Sequence, residues 1–475
     1  MRYGHTSIVN FLSRLVMSFS GFVATIVLTR TLGQDRYGTY VVVLSVLAWV
    51  AMVGKLGLPQ AIRKRVSEPN DGNYVVSGAL AQLGLYAIVV ACLLVARPYL
   101  NEFMGLEATW VLIAILATQL GLIFVQSVLD GQHLVHVSSV LSPVEWTSRS
   151  IVQVVLVLSG LGIVGAFAGY IIGAIVAIGI GLYFVTVPST MPSRRDFDRL
   201  KSYAQFSWLG SIKGRTFMSM DTLILAVFVS NGLIAIYEIA WNLASLFAIF
   251  GASISQTLFP EMSKISAESD SNAEVAGLLR VSLAYSGLFI IPGLVGSALV
   301  GDIVLTIYGS GFEAGYYVLL VLTFARLLYG YMDQFLNTID AINRPDLTLY
   351  INGIFVGVNA ILNVTLTWQF GWYGAATATT VSAGLGLVLG YRFASQVIDV
   401  TVPLNEIAKQ CFAASVMAAV VLVGRVLVGE TLLIVIGLVG IGAAVYFSVL
   451  YGLSREFRTT VHENLPFELP VFPSE

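Results

Sequence analysis

Fourteen predominantly apolar stretches follow one another along this chain, parted by short breaks of charged residues, proline or glycine. Their approximate limits are 7–31, 37–58, 74–97, 108–129, 137–160, 162–187, 203–230, 232–259, 276–300, 316–341, 347–369, 371–397, 406–428 and 431–453. A helix crosses the hydrocarbon core of a bilayer with about 20 apolar residues, so each stretch is long enough to span it. Composition agrees: 57% of the 475 residues are hydrophobic and only 11% charged, against about a quarter charged in a soluble domain. Too few charges remain to cover a water-soluble enzyme of this size. Disorder and coiled coil are excluded on the same ground. The expected fold is an all-α integral membrane protein with about 14 transmembrane helices joined by short loops.

The formal charge of −2 gives no global basic field, so nucleic acid is not an expected partner. Cys92 and Cys411 each lie alone in an apolar run, which indicates neither a disulfide framework nor a metal site. The start, MRYGHTSIVNFLSRL, has no small-residue cleavage site after a short apolar core and reads as part of the first span, not as a signal peptide.

Charge in the loops alternates along the chain. One set holds Arg63, Lys64, Arg65, Arg194, Arg195, Arg199, Lys201, Lys264 and Arg344, and the two ends add Arg2, Arg455 and Arg458. The other set holds little beyond Arg36 and Arg97. By the positive-inside rule both termini are expected in the cytoplasm, with the protein in the plasma membrane. The Pro-spaced, acidic end LPFELPVFPSE reads as an extended, solvated tail.

The two halves look alike. TLGQDRYGTYVVVLS, with Tyr40, resembles VSNGLIAIYEIAWNLAS, with Tyr237; GLPQAIRKRVSE, with Pro59, resembles LFPEMSKISAE, with Pro260; LGIVGA, with Gly162, resembles FGWYGA, with Gly371. Repeats that each cover six spans have the same orientation in the membrane. That is the parallel-repeat plan of some secondary transporters, which carries the expectation of a substrate site between lobes. The expected organisation is a six-helix lobe over 1–200, a second over 201–400, two further transmembrane helices over 401–455 and a cytoplasmic tail over 456–475. Small residues at helical spacing, Gly165, Gly169 and Gly173, and Ala378, Ser382, Gly386 and Gly390, read as close helix packing in lipid.

Charged groups at mid-span are costly in lipid and therefore informative. In span one, Ser7, Asn10, Arg14, Ser18 and Thr25 share a face; no acid lies within four positions of Arg14. Span five carries Glu145, Arg149 and Gln153 on one face, with Glu145 and Arg149 spaced to neutralise each other. Span seven has Arg215 and Asp221, and span eight has Tyr237, Glu238, Trp241 and Asn242. Arg326, Tyr329, Asp333 and Asn337 line a face of span ten, and Asn352, Asn359 and Asn363 one of span eleven. The bland reading of these stripes is internal charge pairing within a bundle, an even alternative for Glu145 and Arg149. Arg425, Lys55 and Lys409, near span ends, read as snorkelling residues.

Enzymatic signatures are missing. His133 and His136 have no acidic neighbour in an HExxH arrangement, and no phosphate-binding GxxxxGK[ST] loop occurs. No metal or cofactor is expected. A membrane glycosyltransferase would need an acidic pair in its first outward loop and a sizeable external domain; here that loop is GQDRYG. An enzyme is not expected.

TRTLGQDRYGTYVVVLSVLAWVAMVGKLGLPQAIRKRVSE resembles the opening of polysaccharide flippases, and SMDTLILAVFVSNGLIAIYEIAWNL their span seven to eight junction. SQTLFPEMSKIS and NAILNVTLTWQFGWYGAATATTVS are similar to two more stretches. The order and spacing, over nearly the whole chain, identify a resemblance to Wzx-like flippases of the multidrug/oligosaccharidyl-lipid/polysaccharide exporter superfamily. The resemblance implies translocation of a lipid-linked oligosaccharide, on a polyprenyl or dolichyl phosphate or pyrophosphate, by alternating access. The polar faces fit such a cargo: Arg14 or Arg215 would pair with the phosphate, Arg149 and Arg326 are further substrate-binding candidates, Asn359 and Asn363 would meet sugar hydroxyls, and Tyr237 or Trp241 would stack on a sugar ring. Glu145, Asp221, Glu238 and Asp333 are then candidates for Na+ or H+ coupling or charge pairing. Membrane lipids and glycosyltransferases of the same pathway are the further expected partners. The last two spans would help hold the lipid tail, as similar two-helix additions do in the lipid II flippase. The alternative is a cation-coupled multidrug and toxic compound extrusion antiporter. Those typically have twelve spans and often an acid in span one, where this chain has Arg14.

Overall fold

A computed structural model of the chain describes residues 2–69, 72–207, 220–268, 273–428 and 431–464. Among the described residues there are helices and turns and no strand. Ten helical stretches among the described residues are long and apolar enough to cross a bilayer. Met17–Lys55 carries the first two predicted spans and Val135–Phe184 carries spans five and six, each as one run with a break inside. Span twelve is the 26-residue helix Trp372–Val397. Span seven lies partly outside the described residues. A count of fourteen is compatible with these elements. Large apolar side chains stand on the surface, among them Ile88, Ile175, Val364 and Val426; for a multi-pass membrane protein that surface is the one lipid covers.

The chain divides into two compact units, Met1–Ile236 with Tyr308–Ser310, and Tyr237–Ile307 with Gly311–Glu475. The first contains α1 (Arg2–Lys55), α2 (Leu58–Ser67), α3 (Tyr74–Val95), α4 (Arg97–Met104), α5 (Thr109–Gly131), α6 (Val135–Leu156), α7 (Gly162–Phe184), α8 (Arg194–Ser207) and α9 (residues 220–228). The two predicted spans within α1 meet at Gly33, whose backbone (φ 75°, ψ 174°) leaves the helical region. Gly57, left-handed, ends the run and Pro59 starts α2. At its far end α2 pairs Arg65 with Glu68 at 2.9 Å, and that guanidinium, by hydrogen bonding the carboxylate, holds Glu68 below its usual pKa.

The second unit holds most of α10 (Asn231–Glu268), then α11 (Ala273–Ser286), α12 (Ile290–Leu305), α13 (Tyr316–Ala341), α14 (Pro345–Phe370), α15 (Trp372–Val397), α16 (Leu404–Val428), α17 (Leu432–Leu453) and α18 (Arg455–Asn464). Helices α16 and α17 pack on α12 through Leu288, Val300, Met417, Val421 and Tyr446. Arg425, read above as snorkelling, instead pairs with Asp302 at 3.2 Å, and Lys409 pairs with Glu406 at 2.5 Å. Their partners lie on a neighbouring turn or helix, so each charge is offset by a pair within the protein. The segment after span fourteen opens as a helix, α18, capped by Ser454 Oγ, which accepts from Phe457 N at 3.0 Å. Arg280 ties it to α11 by an ion pair to Glu456 at 2.6 Å.

The repeat seen in the sequence recurs in the backbone. His133 (φ 62°) and Asn343 (φ 60°) are left-handed residues in the turns before α6 and α14. Leu134 N donates to Leu129 O at 2.8 Å, and Arg344 N to Ile339 O at 3.1 Å, closing the two turns in the same way. Asn or His tolerates this conformation better than a β-branched residue does. The stretch from His133 to Gly162 is one residue longer than that from Asn343 to Gly371. The first unit takes up the extra residue in the break between α6 and α7, Val157–Leu161, where Gly160 (φ 94°) leaves the helical region; α14 runs unbroken to Phe370.

Candidate functional site

In the first unit the polar face of α6 turns inward. Ser138, Glu145, Arg149 and Gln153 are all buried. Their spacing of seven, four and four residues, about two turns and then one, puts them on one side of the helix, and α7 packs along it. A Cβ on Gly173 would stand 2.7 Å from Arg149 N, and one on Gly169 2.4 Å from Gln153 Cγ. The small-residue stripe of α7 is therefore what lets the backbones approach and encloses the polar groups. Arg149 Nη1 reaches Glu145 Oε1 at 3.4 Å. The guanidinium also lies 3.7 Å from the Trp146 ring centre and 4.5 Å from that of Tyr170. Arginine stacks on aromatic faces well because its charge is planar and weakly hydrated. Gln153 Nε2 donates to the Tyr40 hydroxyl at 2.9 Å and to Ala166 O at 2.8 Å, fixing the next turn.

In the second unit the polar stripe of α13 runs against α10. Arg326 lies 3.8 Å from the Trp241 ring centre and donates from Nη2 to Ser245 Oγ at 2.5 Å. Two turns on, Gln334 Nε2 donates to Gly251 O at 3.2 Å. Asn337 Nδ2 donates to Asp333 Oδ2 at 3.1 Å and also to Ser255 Oγ. Small polar residues on α10 thus meet the long polar residues of α13 in register. Trp241 is buried with its ring under the guanidinium, and Tyr237, one turn earlier, is 2% exposed. Tyr237 is a core side chain here, whereas Trp241 belongs to the arginine cluster. Glu238 is half-buried and Asp221, on α9 in the first unit, is buried.

Asn359 and Asn363 occupy the buried face of α14, with Asn363 Nδ2 donating to Asn359 Oδ1 at 3.2 Å. This face is turned to α15: the Phe355 ring, one turn before Asn359, lies 3.3 Å from where a Cβ on Gly386 would be. They stand at the places in the second repeat that Arg149 and Gln153 hold in the first. Asn359 Nδ2 and Thr367 Oγ1 are enclosed with no hydrogen-bond partner among the described residues. Arg215 lies outside the described residues, as does the side chain of Arg14. Sequence periodicity found the faces, but it missed the aromatic partners of Arg149 and Arg326. The signal for one was present as Trp146 three residues before Arg149; the Trp241 contact joins two distant helices and leaves no local trace.

Among the described residues no group of three or more His, Cys, Asp or Glu side chains is placed to hold a metal ion. The two clusters can each offer a guanidinium, an aromatic face and amide or hydroxyl groups. That chemistry suits an anion carrying hydroxyl-rich groups.

Residues 4–266, more than half of the chain, match the family described as polysaccharide biosynthesis protein. The chain is 30% identical to the probable flippase AglR of Haloferax volcanii, over 98% of each chain. It is 26% identical to the probable low-salt glycan biosynthesis flippase Agl15 of the same organism, over 99% of this chain and all of the relative. Among solved structures, the lipid II flippase MurJ in an inward closed conformation superposes with a TM-score of 0.77 at 16% identity, over 94% of this chain and 99% of that one. An inward-facing multidrug resistance MATE transporter of the MOP superfamily gives 0.58 at 16% identity, over 79% and 94%. These two likenesses speak to the fold, which is that of all-α membrane transporters. With a family match over half its length and a 30% identical relative along nearly all of it, the chain belongs to the polysaccharide biosynthesis protein family.

Proposed function

We propose that this protein is a flippase that carries a lipid-linked oligosaccharide, on a polyprenyl or dolichyl phosphate or pyrophosphate, from the inner to the outer leaflet of the plasma membrane. The observation that carries the reading is 30% identity to a probable flippase over 98% of the chain. The arginine clusters give it a chemistry. Arg326, held over Trp241 and bonded to Ser245, offers a positive plane to a phosphate while later turns of the same helix offer Asp333 and Asn337 to sugar hydroxyls. Arg149 can serve the same cargo in the first unit if Glu145 releases it. Arg14 and Arg215 are further phosphate partners, and Asn359 and Asn363 further hydrogen-bonding groups. An apolar cavity of about 310 Å³ in the second unit, lined by Phe247, Phe289, Met417, Tyr446 and Phe447, suits the lipid tail.

In this reading the repeats, residues 1–200 and 201–400, alternate access to the two leaflets, and residues 401–455 support the tail. Both termini are cytoplasmic, by the loop charges. Glu145, Asp221, Glu238 and Asp333 couple the cycle to Na+ or H+, or pair with basic residues. The protein works as a transporter, not an enzyme, beside the glycosyltransferases that build its cargo.

The test is deletion of the gene followed by analysis of lipid-linked glycans. Accumulation of one species on the cytoplasmic leaflet is the expected result. No accumulation together with raised drug sensitivity would replace this reading with the antiporter. Dependence of transport on Na+ or pH gradients in vesicles decides the coupling role.

A further inference from the structure

One end of the first unit carries a surface that neither arginine cluster uses. Helices α2 and α8 bury Leu58, Ile62 and Leu200 against Tyr74, Val75 and Val128, so their opposite sides face outward. Those sides are basic: Arg63, Lys64, Arg194, Arg195 and Lys201 are all exposed. Of the acids on or next to these helices, Asp196 is buried and accepts from Ser193 N at 2.9 Å, Asp198 is exposed, and Glu68, at the end of α2, pairs with Lys64 at 3.5 Å and Arg65 at 2.9 Å, so the cations outnumber the acids that face them. The chain that leads into α8 exposes large apolar groups, Tyr183 at 86%, Val187 at 55% and Met191 at 91%.

This apolar segment is held in place. Asn73 Nδ2 donates to Pro188 O at 3.1 Å and to Thr190 O at 2.7 Å. Gln132 accepts from Thr186 N at 3.1 Å and donates back to Thr186 O at 2.5 Å. Beneath it lies a cavity of about 530 Å³ lined by Arg65, Tyr74, Gln132 and His133. Duplication alone does not account for the charge. The counterpart of α2 in the second repeat, around Pro260, has one cation, Lys264, with Glu261 and Glu268, where α2 has Arg63, Lys64 and Arg65 with Glu68 alone. Exposed apolar side chains next to a row of exposed cations match one environment, the boundary where lipid tails give way to phosphates.

We propose that the α2–α8 face is a binding surface for the headgroups of anionic membrane lipids, with Tyr183, Val187 and Met191 seated among the tails of the same leaflet. The surface works independently of the cargo reading. It fixes the height of the first unit in the bilayer and gathers acidic lipid around its loops.

The test uses the full chain in neutral detergent, titrated with phosphatidylglycerol or with phosphatidylcholine of the same tails. Retained lipid is counted by native mass spectrometry and the thermal midpoint is followed. Phosphatidylglycerol should be retained about tenfold better at low salt and should raise the midpoint, and the preference should collapse at about 0.5 M NaCl, where screening is short-ranged. A variant with Arg63→Gln, Lys64→Gln, Arg194→Gln, Arg195→Gln and Lys201→Gln should lose the preference while keeping its lipid-free midpoint. Equal retention of both lipids by the unmodified protein overturns the proposal, as does an undiminished preference in the variant. So does inorganic phosphate that reproduces the midpoint rise, which would mark a free-anion site. Should the variant fail to fold, the salt arm decides: a preference that survives high salt is not headgroup electrostatics.

Discussion

Gly162 and Gly371 occupy one backbone conformation, φ 53°, ψ −135° and φ 58°, ψ −138°, and each opens the second helix of a helical hairpin. An L side chain is strained there, at a cost of about 1–3 kcal/mol. Gly162→Ala and Gly371→Ala should each lower stability by roughly that amount, read as a fall in the thermal midpoint in detergent. Gly374→Ala should cost more than either, because its Cβ would lie 1.9 Å from Leu366 O with only backbone there to move.

Removing Arg149 should unmask Glu145. Breaking a buried pair by deleting one partner typically costs about 3–5 kcal/mol, so Arg149→Ala should lower both expression and thermal midpoint. The double variant Glu145→Gln, Arg149→Gln separates two roles. If it recovers stability and glycan export together, Arg149 is a packing residue. If it recovers stability alone, Arg149 meets cargo.

Arg326 combines a stacked plane with a hydrogen bond to Ser245, which lysine cannot reproduce. Export should fall by at least about tenfold in both Arg326→Ala and Arg326→Lys, the equivalent of about 1.4 kcal/mol. Trp241→Phe should retain part of the activity, since a smaller aromatic face still supports a cation. Transport of a fluorescent lipid-linked glycan in vesicles is the measurement. Normal rates in Arg326→Lys would show that charge alone suffices.

Glu68 gives a pH signature. Its carboxyl is held below the usual range by Arg65, so the pair contributes stability above the ordinary carboxylate pKa. That contribution is lost as pH falls through the lowered value. The difference in thermal midpoint between the unmodified protein and Glu68→Gln should stay constant from neutral to mildly acidic pH, then close under more acidic conditions. The difference should be small, because the pair is partly exposed.

Much of this could be read from sequence because lipid allows few choices. The apolar stretches became helices, and the duplicated LGIVGA and FGWYGA marked hairpin breaks at Gly162 and Gly371 that hydropathy alone would have blurred. Faces were legible through their period; the neighbours of those faces were not. Arg425 looked like a residue reaching for water because Asp302 lies on another helix, far away in sequence. Arg326 and Asn337 of span ten likewise gave a stripe, but only the fold shows that α10 answers with Ser245 and Ser255. Span one could be read only as a face, since Arg14 has its side chain outside the described residues.

The break at Val157–Leu161 has a consequence for how the two hairpins pack. An inserted residue would rotate everything beyond it by about 100° around a helix, throwing the glycine stripe of α7 off its partner. By absorbing the insertion within one turn, the first repeat keeps Gly165, Gly169 and Gly173 where the second keeps Gly374, Ala378 and Ser382. The hairpin scaffold and the residues it encloses are thereby uncoupled. The first half encloses the Glu145–Arg149 pair where the second holds Phe355 and Asn359, and both keep small buried residues on the facing helix.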